Sequence, residues 1–145
     1  MTHFIGIDLG GTKIAGAVYD AASHHVIHRS TIPTQAHEGP DAVLARIAGH
    51  VRALAQGAGL ELAAISGVGV GVPATFDWDT GTIWLIPNLP GDWLNKPAGA
   101  ILGQHLNMPV HLINDARAFT LAEATLGAGK GYASVVGVTL GTGIG

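Results

Sequence analysis

Apolar residues follow two different periods along the 145-residue chain, and the change of period divides the chain into elements. Runs rich in β-branched and aromatic residues predict strands. These runs cover residues 4–8, 14–19, 25–32, 65–72, 110–113 and 134–140. Apolar residues at helical spacing predict helices, and they cover residues 41–56, 96–106 and 115–126. The run at 65–72 is almost entirely apolar, which predicts a strand buried on both faces.

The order of these elements predicts the fold class. Three strands come first, and the short connections after the first two allow antiparallel pairing. The later strands alternate with helices and are therefore expected to be parallel. We expect an α/β protein with a mixed sheet, in which three leading antiparallel strands are followed by parallel strands and helices flank the sheet. A small hairpin is expected around residues 79–81, inside a turn-rich segment.

Composition and charge limit the classes of function. The chain is 48% hydrophobic and only 12% charged, which is typical of a folded globular protein. Its formal charge is -3 and its seven Lys and Arg residues are scattered, so no nucleic-acid partner is expected. It contains no cysteine, which fits a cytoplasmic protein. The longest uncharged stretches are shorter than the roughly 20 residues that span a bilayer, so no membrane partner is expected.

The segment between the first two predicted strands is the first candidate site. Backbone N–H groups of Gly10 and Gly11 are able to converge on a phosphate. Thr12 adds a hydroxyl donor, Lys13 adds a cation, and Asp8 is a candidate ligand for Mg²⁺. A Walker A loop or a dinucleotide fingerprint would need a helix after the glycines, whereas a strand is predicted here. A tight hairpin, whose glycines serve turn geometry alone, stays open as the alternative.

The second candidate site lies where the predicted strand 110–113 ends. Asn114 and Asp115 follow that strand, at the end where open α/β sheets place their ligands. Asp115 would accept a proton from a substrate hydroxyl, and Asn114 would orient that substrate. An ordinary cap of the following helix is the competing interpretation.

A second glycine-rich loop follows the last predicted strand. It contains Gly141, Thr142 and Gly143 and would face the first loop. Two glycine-threonine loops and one proton acceptor together favour phosphoryl transfer, because that reaction depends mainly on positioning, a metal ion and a base.

The chain contains, in this order, the segments GIDLGGTK, GVGVPATFD, PNLPGDW, INDARAFTLAEATLGAG and GVTLGTGIG. This set resembles the N-terminal half of the ROK family of bacterial sugar kinases and repressors, within the actin-like ATPase superfamily. The matching segments extend over essentially the whole chain. The resemblance implies a ribonuclease-H-like fold, with ATP as phosphoryl donor, Mg²⁺ as metal ion and a hexose or related sugar as acceptor.

The resemblance also implies a role for each candidate residue. Asp115 would be the general base and Asn114 would bind sugar hydroxyls. Ala74 and Asn88 would also lie at the sugar cleft, and Asp8 would contact the metal ion through water. The two phosphate loops would bind ATP through Gly10, Gly11, Thr12, Lys13, Gly141, Thr142 and Gly143.

Three departures from the family pattern leave the identity of the sugar open. Ala74 and Thr75 stand where Gly and Pro are expected. Asp92 is inserted into the compact form of its motif, and Arg117 replaces a frequent Asn. None of these changes removes the proposed base.

The family's downstream segment, with its sugar-binding residues and its zinc cluster, is not in this sequence, so zinc is expected only in that part. We expect residues 1–113 to form a small N-terminal α/β domain and residues 114–145 to begin a second, truncated domain. The full-length protein is expected to be a homodimer, and this part alone is expected to be nearly inactive. Two alternatives stay open: a non-catalytic remnant, or the sugar-sensing module of a regulator, for whose DNA-binding segment the N-terminus leaves no room.

Overall fold

The structure, a computed structural model, describes residues 2–140 and has a five-stranded sheet at its centre. Single 3₁₀ turns occupy Ala36–Glu38 and Leu62–Ala64. The strands and helices, in chain order, are β1 (His3–Leu9), β2 (Lys13–Asp20), β3 (His25–Pro33), α1 (Pro40–Gly57), β4 (Ile65–Val72), β5 (Thr75–Phe76), β6 (Ile83–Leu85), α2 (Ala98–Leu106), β7 (Val110–Asn114) and α3 (Asp115–Thr125).

The topology of the main sheet confirms the predicted fold class. The strand order is β3-β2-β1-β4-β7. The first three strands pair antiparallel, while β1 with β4 and β4 with β7 pair parallel. The small hairpin is also confirmed, since β5 and β6 form an antiparallel pair. Its turn is closed by Asp77, whose Oδ1 accepts hydrogen bonds from the backbone N–H of Asp79 (3.1 Å) and Thr80 (2.8 Å).

Helices α1 and α2 cover one face of the sheet and form the core with it. Alternate β1 residues are buried there, and α1 buries a continuous stripe, as its helical period predicts. Each fully buried aliphatic side chain contributes about 1.5 to 3 kcal/mol of transfer free energy. None of the helices within residues 2–140 has the length and apolar character needed to cross a membrane. The buried residues of α1 are Val43, Leu44, Ile47, Ala48, His50, Val51, Leu54 and Ala55.

The prediction that strand β4 is buried on both faces is wrong. Val68, Val70 and Val72 are buried, but Gly69 is exposed. A Cβ added to Gly6 or Gly69 would have no atom within 4 Å, so no described residue packs against this face at these two positions, and α3 approaches it only at the C-terminal end of β4. The glycines of residues 65–72 were counted as apolar in the prediction. Because glycine has no side chain to bury, its presence does not indicate that helices pack on the second face of the sheet.

The strand predicted at 134–140 is also absent from the structure. Val136 is 89% exposed and Val138 is 59% exposed, and this segment contributes no strand to either sheet. An apolar run becomes a strand only where a neighbouring strand satisfies its backbone groups, and the described residues provide no such neighbour here. The other predicted helices are confirmed, although α2 begins at Ala98 rather than 96. The carbonyl of Lys96 accepts from the N–H of Ile83 (2.9 Å), which holds that residue in the hairpin region.

Candidate active site

The C-terminal ends of β1, β4 and β7 meet at one edge of the sheet, and the candidate acidic residues collect there. Asp8 of β1 pairs with Gly71 of β4, and Gly71 pairs with Ile113 of β7. A Cβ on Gly71 would lie 3.8 Å from Oδ1 of Asp8 and 3.9 Å from Cα of Asp115. Gly71 therefore lies between the two acidic residues, and its missing side chain leaves the space between them free.

The two carboxylates influence each other electrostatically. Burial raises the pKa of Asp8 above its ordinary value, the negative charge of Asp115 raises it further, and Lys13 partly opposes both effects. A cation bound beside this pair would relieve the repulsion. Mg²⁺ is typically held by one or two carboxylates together with water and phosphate oxygens. Asp8 therefore fits a Mg²⁺ ion whose remaining ligands are water and phosphate.

The loop between β1 and β2 needs its glycines for space. The N–H of Gly10 donates to the carbonyl of Lys13 (3.0 Å), which closes the turn. Neither Gly10 nor Gly11 has a positive φ, so the loop is not the left-handed two-residue hairpin turn that glycines usually form. A Cβ on Gly10 would lie 3.1 Å from the Lys13 carbonyl oxygen, and one on Gly11 would lie 3.1 Å from that of Asn88. Close backbone approach therefore explains both glycines, while Thr12 keeps its side chain exposed.

Thr34 supports this loop and was missed by the sequence analysis. It is fully buried, its hydroxyl donates to the carbonyl of Gly10 (2.7 Å), and its N–H donates to the carbonyl of Thr12 (3.0 Å). Arg46 of α1 in turn donates to the carbonyl of Thr34 (2.7 Å). One signal was available, because Thr34 directly follows strand β3, whose end pairs with Lys13. Thr34 thus fixes both ends of the candidate phosphate loop.

Replacing Thr34 by Val is expected to lower the free energy of unfolding by about 1 to 3 kcal/mol, because the shape is kept while the Gly10 carbonyl loses its donor. Urea denaturation of the 145-residue chain measures this change. Thr125→Val is the matched control, since that exposed hydroxyl bonds only carbonyls of its own helix. Its effect is expected to stay within about 0.5 kcal/mol. Equal losses in the two variants would contradict a special role of Thr34.

Asn114 and Asp115 lie at the junction of β7 and α3. The Oδ1 atom of Asn114 accepts from the N–H of Arg117 (3.2 Å), which confirms that Asn114 caps the helix. Its Nδ2 donates a long hydrogen bond to the carbonyl of Ala74 (3.4 Å). Asp115 is exposed, and its Oδ1 accepts from the N–H of Ala116 (2.8 Å). The cap leaves further donor and acceptor capacity on Asn114, so capping and sugar binding are compatible, and both sugar-site roles stay predictions.

The remaining candidates differ in what they offer to a ligand. The side chain of Ala74 is buried, so only its backbone borders the cleft. Asn88 is exposed, and its carbonyl lies against Gly11, which brings its segment onto the candidate phosphate loop. The second predicted loop, with Gly141, Thr142 and Gly143, lies outside the described residues.

Two cavities border the start of α3. The larger, about 740 Å³, follows the open face of the sheet, and both Asp8 and Asp115 line it. The smaller, about 260 Å³, lies between the β5 region and the first turn of α3. Its lining residues are Ala74, Thr75, Phe76, Trp78, Asn114 and Arg117.

Comparison with known proteins identifies the family. The family model described as "ROK family" matches residues 4–145. The chain belongs to the ROK family. It is 37% identical to the glucokinase of Thermotoga maritima over 142 residues, and 34% identical to the N-acetyl-D-glucosamine kinase of Pectobacterium atrosepticum over 142 residues. These matches cover 97% and 98% of this chain but only 42% and 44% of the two relatives, respectively.

A solved ROK structure confirms the fold. The chain is similar to the ROK family glucokinase of Streptomyces griseus, which was crystallised in complex with glucose and AMPPNP. The TM-score is 0.81 at 29% identity, and the match covers 99% of this chain and 43% of that one. The chain thus spans less than half the length of these ROK relatives, and its fold is that of the corresponding part of a ROK sugar kinase.

Proposed function

We propose that this chain is the N-terminal part of an ATP-dependent sugar kinase that phosphorylates a hexose or related sugar. The observation that carries the proposal is that Asp8 and Asp115 both lie beside Gly71, next to a glycine loop that Thr34 holds by a hydrogen bond. This arrangement supplies an acidic metal ligand, a proton acceptor and a phosphate loop at one edge of the sheet. The named ROK kinases to which the chain is similar support the same reading.

Each residue has one role in the proposed reaction. Asn114 orients the sugar, and Asp115 accepts the proton of the attacking sugar hydroxyl. The oxygen of that hydroxyl bonds to the γ-phosphorus of ATP as the bond from the γ-phosphorus to ADP breaks. Asp8 would hold Mg²⁺ through water, and the bound ion would supply charge neutralisation at the phosphates. In addition, the backbone of Ala74 would border the sugar from the smaller cavity, and the exposed Asn88 would border it from beside Gly11. The phosphates are bound by Gly10, Gly11, Thr12 and Lys13, and Gly141, Thr142 and Gly143 are proposed as further phosphate ligands.

The wider assignments belong to the same proposal. We place residues 1–113 in a small N-terminal domain and residues 114–145 at the start of a second one. At full length the enzyme would be a cytoplasmic homodimer, as the family resemblance implies. Zinc, if used, would bind in the remaining part of a full-length relative.

An ADP-release assay tests the proposal. The completed enzyme, meaning this chain joined to the rest of a full-length ROK kinase, is expected to release ADP with at least one of glucose, mannose, fructose, allose and N-acetylglucosamine. The 145-residue chain alone is expected to show little or no turnover, because it spans only about two fifths of its relatives. A completed enzyme that binds ATP but phosphorylates none of these sugars would overturn the proposal.

A further inference from the structure

We propose that Arg117 and Trp78 form a specificity subsite for a sugar substituent that carries an acceptor oxygen, such as an acyl carbonyl or a carboxylate. The inference rests on the proposed sugar kinase function and names a substrate class for it. Arg117 is a specificity-determining residue in this proposal and takes no part in proton or phosphoryl transfer.

The first argument is the location of Arg117 and Trp78 in the smaller cavity. Arg117 and Trp78 both line the 260 Å³ cavity, together with Ala74 and Thr75. Asn114, the proposed ligand of sugar hydroxyls, lines the same cavity. The two residues of the proposed subsite thus lie beside the proposed sugar, where a substituent of the ring would enter.

The orientation of Arg117 is the second argument. Its guanidinium carbon lies 5.1 Å from the ring centroid of Trp78, the geometry of a cation–π contact. Trp78 is itself tilted against Phe76, with ring centroids 5.1 Å apart and an interplanar angle of 50°. Because Arg117 is in the first turn of α3, its backbone is fixed by the Asn114 cap. The contact of the guanidinium with Trp78 is therefore present without a ligand.

The charge of Arg117 is the third argument. Within residues 2–140 the ion pairs are Arg46 with Glu38 and Lys96 with Asp41, and Arg117 has no acidic partner among these residues. A guanidinium offers five N–H donors and no acceptor, and it stays charged at physiological pH. It therefore suits a carbonyl or carboxylate oxygen and repels an ammonium group.

The walls of the cavity add an apolar component. Phe76 and Trp78 present aromatic surface, and Thr75 contributes a small side chain. An acetamido group has an acceptor oxygen for Arg117 and a methyl group for the aromatic surface. A uronic acid offers the acceptor oxygens without the methyl. Both sources share the chemistry of the proposal, and the experiment separates them.

The test compares kcat/KM of the completed enzyme for glucose, N-acetylglucosamine, glucuronate and glucosamine. We expect N-acetylglucosamine or glucuronate to exceed glucosamine by at least about tenfold, and the better of the two identifies the source. Arg117→Leu is expected to lower the ratio of that sugar to glucose by about tenfold, mainly through KM, and Trp78→Leu to lower it by about threefold. Each tenfold change corresponds to about 1.4 kcal/mol.

Two matched variants control for charge and for loss of an exposed indole. Lys130→Gln removes an exposed cation, and Trp84→Leu removes a tryptophan that is 51% exposed, both outside the cavity. Neither is expected to change the ratio. An unchanged ratio in Arg117→Leu, or a preference of the wild type for glucosamine, would overturn the subsite while leaving the kinase proposal intact.

Absence of ADP release with every sugar would instead contradict the kinase proposal. The subsite is then tested by calorimetric titration of N-acetylglucosamine and glucuronate into the same protein. Binding that Arg117→Leu weakens about tenfold supports the subsite, and no binding of either sugar to the wild type overturns it.

Discussion

Replacing Asp115 by Asn in the completed enzyme is expected to lower kcat by about 10²- to 10⁴-fold, the usual contribution of a general base. The amide has the same shape as the carboxylate, and its oxygen is still able to accept from the N–H of Ala116. It cannot accept a proton from the attacking hydroxyl. The loss should therefore fall on the chemical step, with the fold of the β7–α3 junction unchanged.

An ADP-release assay at saturating sugar and ATP measures this loss, and circular dichroism checks the fold. Asp79→Asn is the matched control, because Asp79 is an exposed carboxylate in the β5–β6 hairpin. Its kcat is expected to stay within about twofold of the wild type. If Asp115→Asn kept most of its activity, Asp115 would contribute only to the start of α3.

The sequence predicts which residues belong to the candidate site, and the register of the sheet shows which of them lie close together. Asp8 is predicted as part of the glycine loop after the first strand, and Asp115 is predicted from its position at the end of strand 110–113. That both lie beside Gly71 follows from the parallel pairing of β1, β4 and β7. Periodicity predicts which strands exist and in which direction they run, but the residue-by-residue alignment depends on packing against α1 and α2.

The residues that sequence reasoning missed act through partners that are distant along the chain. Thr34 is 24 residues from Gly10, whose carbonyl it holds. Arg117 lies on a helix, but its contact Trp78 lies in a turn-rich segment. That segment has no regular spacing of apolar residues from which its position could be predicted. His50 is a third case: it is only 3% exposed on α1, and burial lowers its pKa. The sequence around such a residue shows that it is polar, but it does not show which group the side chain contacts in the fold.

The two wrong strand predictions have a common physical cause. Residues 65–72 and 134–140 were interpreted from apolar composition, which indicates a tendency to be buried but not the presence of a covering layer. In the described residues, α1 and α2 cover one face only, so Gly69 stays exposed and Val136 has no strand beside it. Burial is a property of the assembled fold, and in residues 2–140 the second face of the sheet is open at Gly6 and Gly69.

Replacing Asp8 by Asn is expected to separate activity from stability. In the completed enzyme kcat should fall by at least about 10²-fold, because a metal ion supplies several kcal/mol of charge stabilisation and each 1.36 kcal/mol is tenfold in rate. The Mg²⁺ concentration needed for half-maximal rate should rise. Asp79→Asn again serves as control, and an unchanged Mg²⁺ requirement in Asp8→Asn would remove Asp8 from the metal site.

The same substitution should raise the stability of the 145-residue chain. Burial and Asp115 raise the pKa of Asp8, so the folded state binds this proton more tightly than the unfolded state. The ionised carboxylate therefore destabilises the fold at pH 7.5, and this cost disappears as the pH falls below the unfolded value of 3.8. Urea denaturation should show Asp8→Asn to be more stable than the wild type at pH 7.5, with a smaller difference near pH 4. A variant that is less stable than the wild type at pH 7.5 would mean that the carboxylate contributes to the fold itself. We therefore expect Asp8→Asn to lose activity and to gain stability. This combination is typical of a residue that is kept beside Asp115 for ligand binding at a cost in stability.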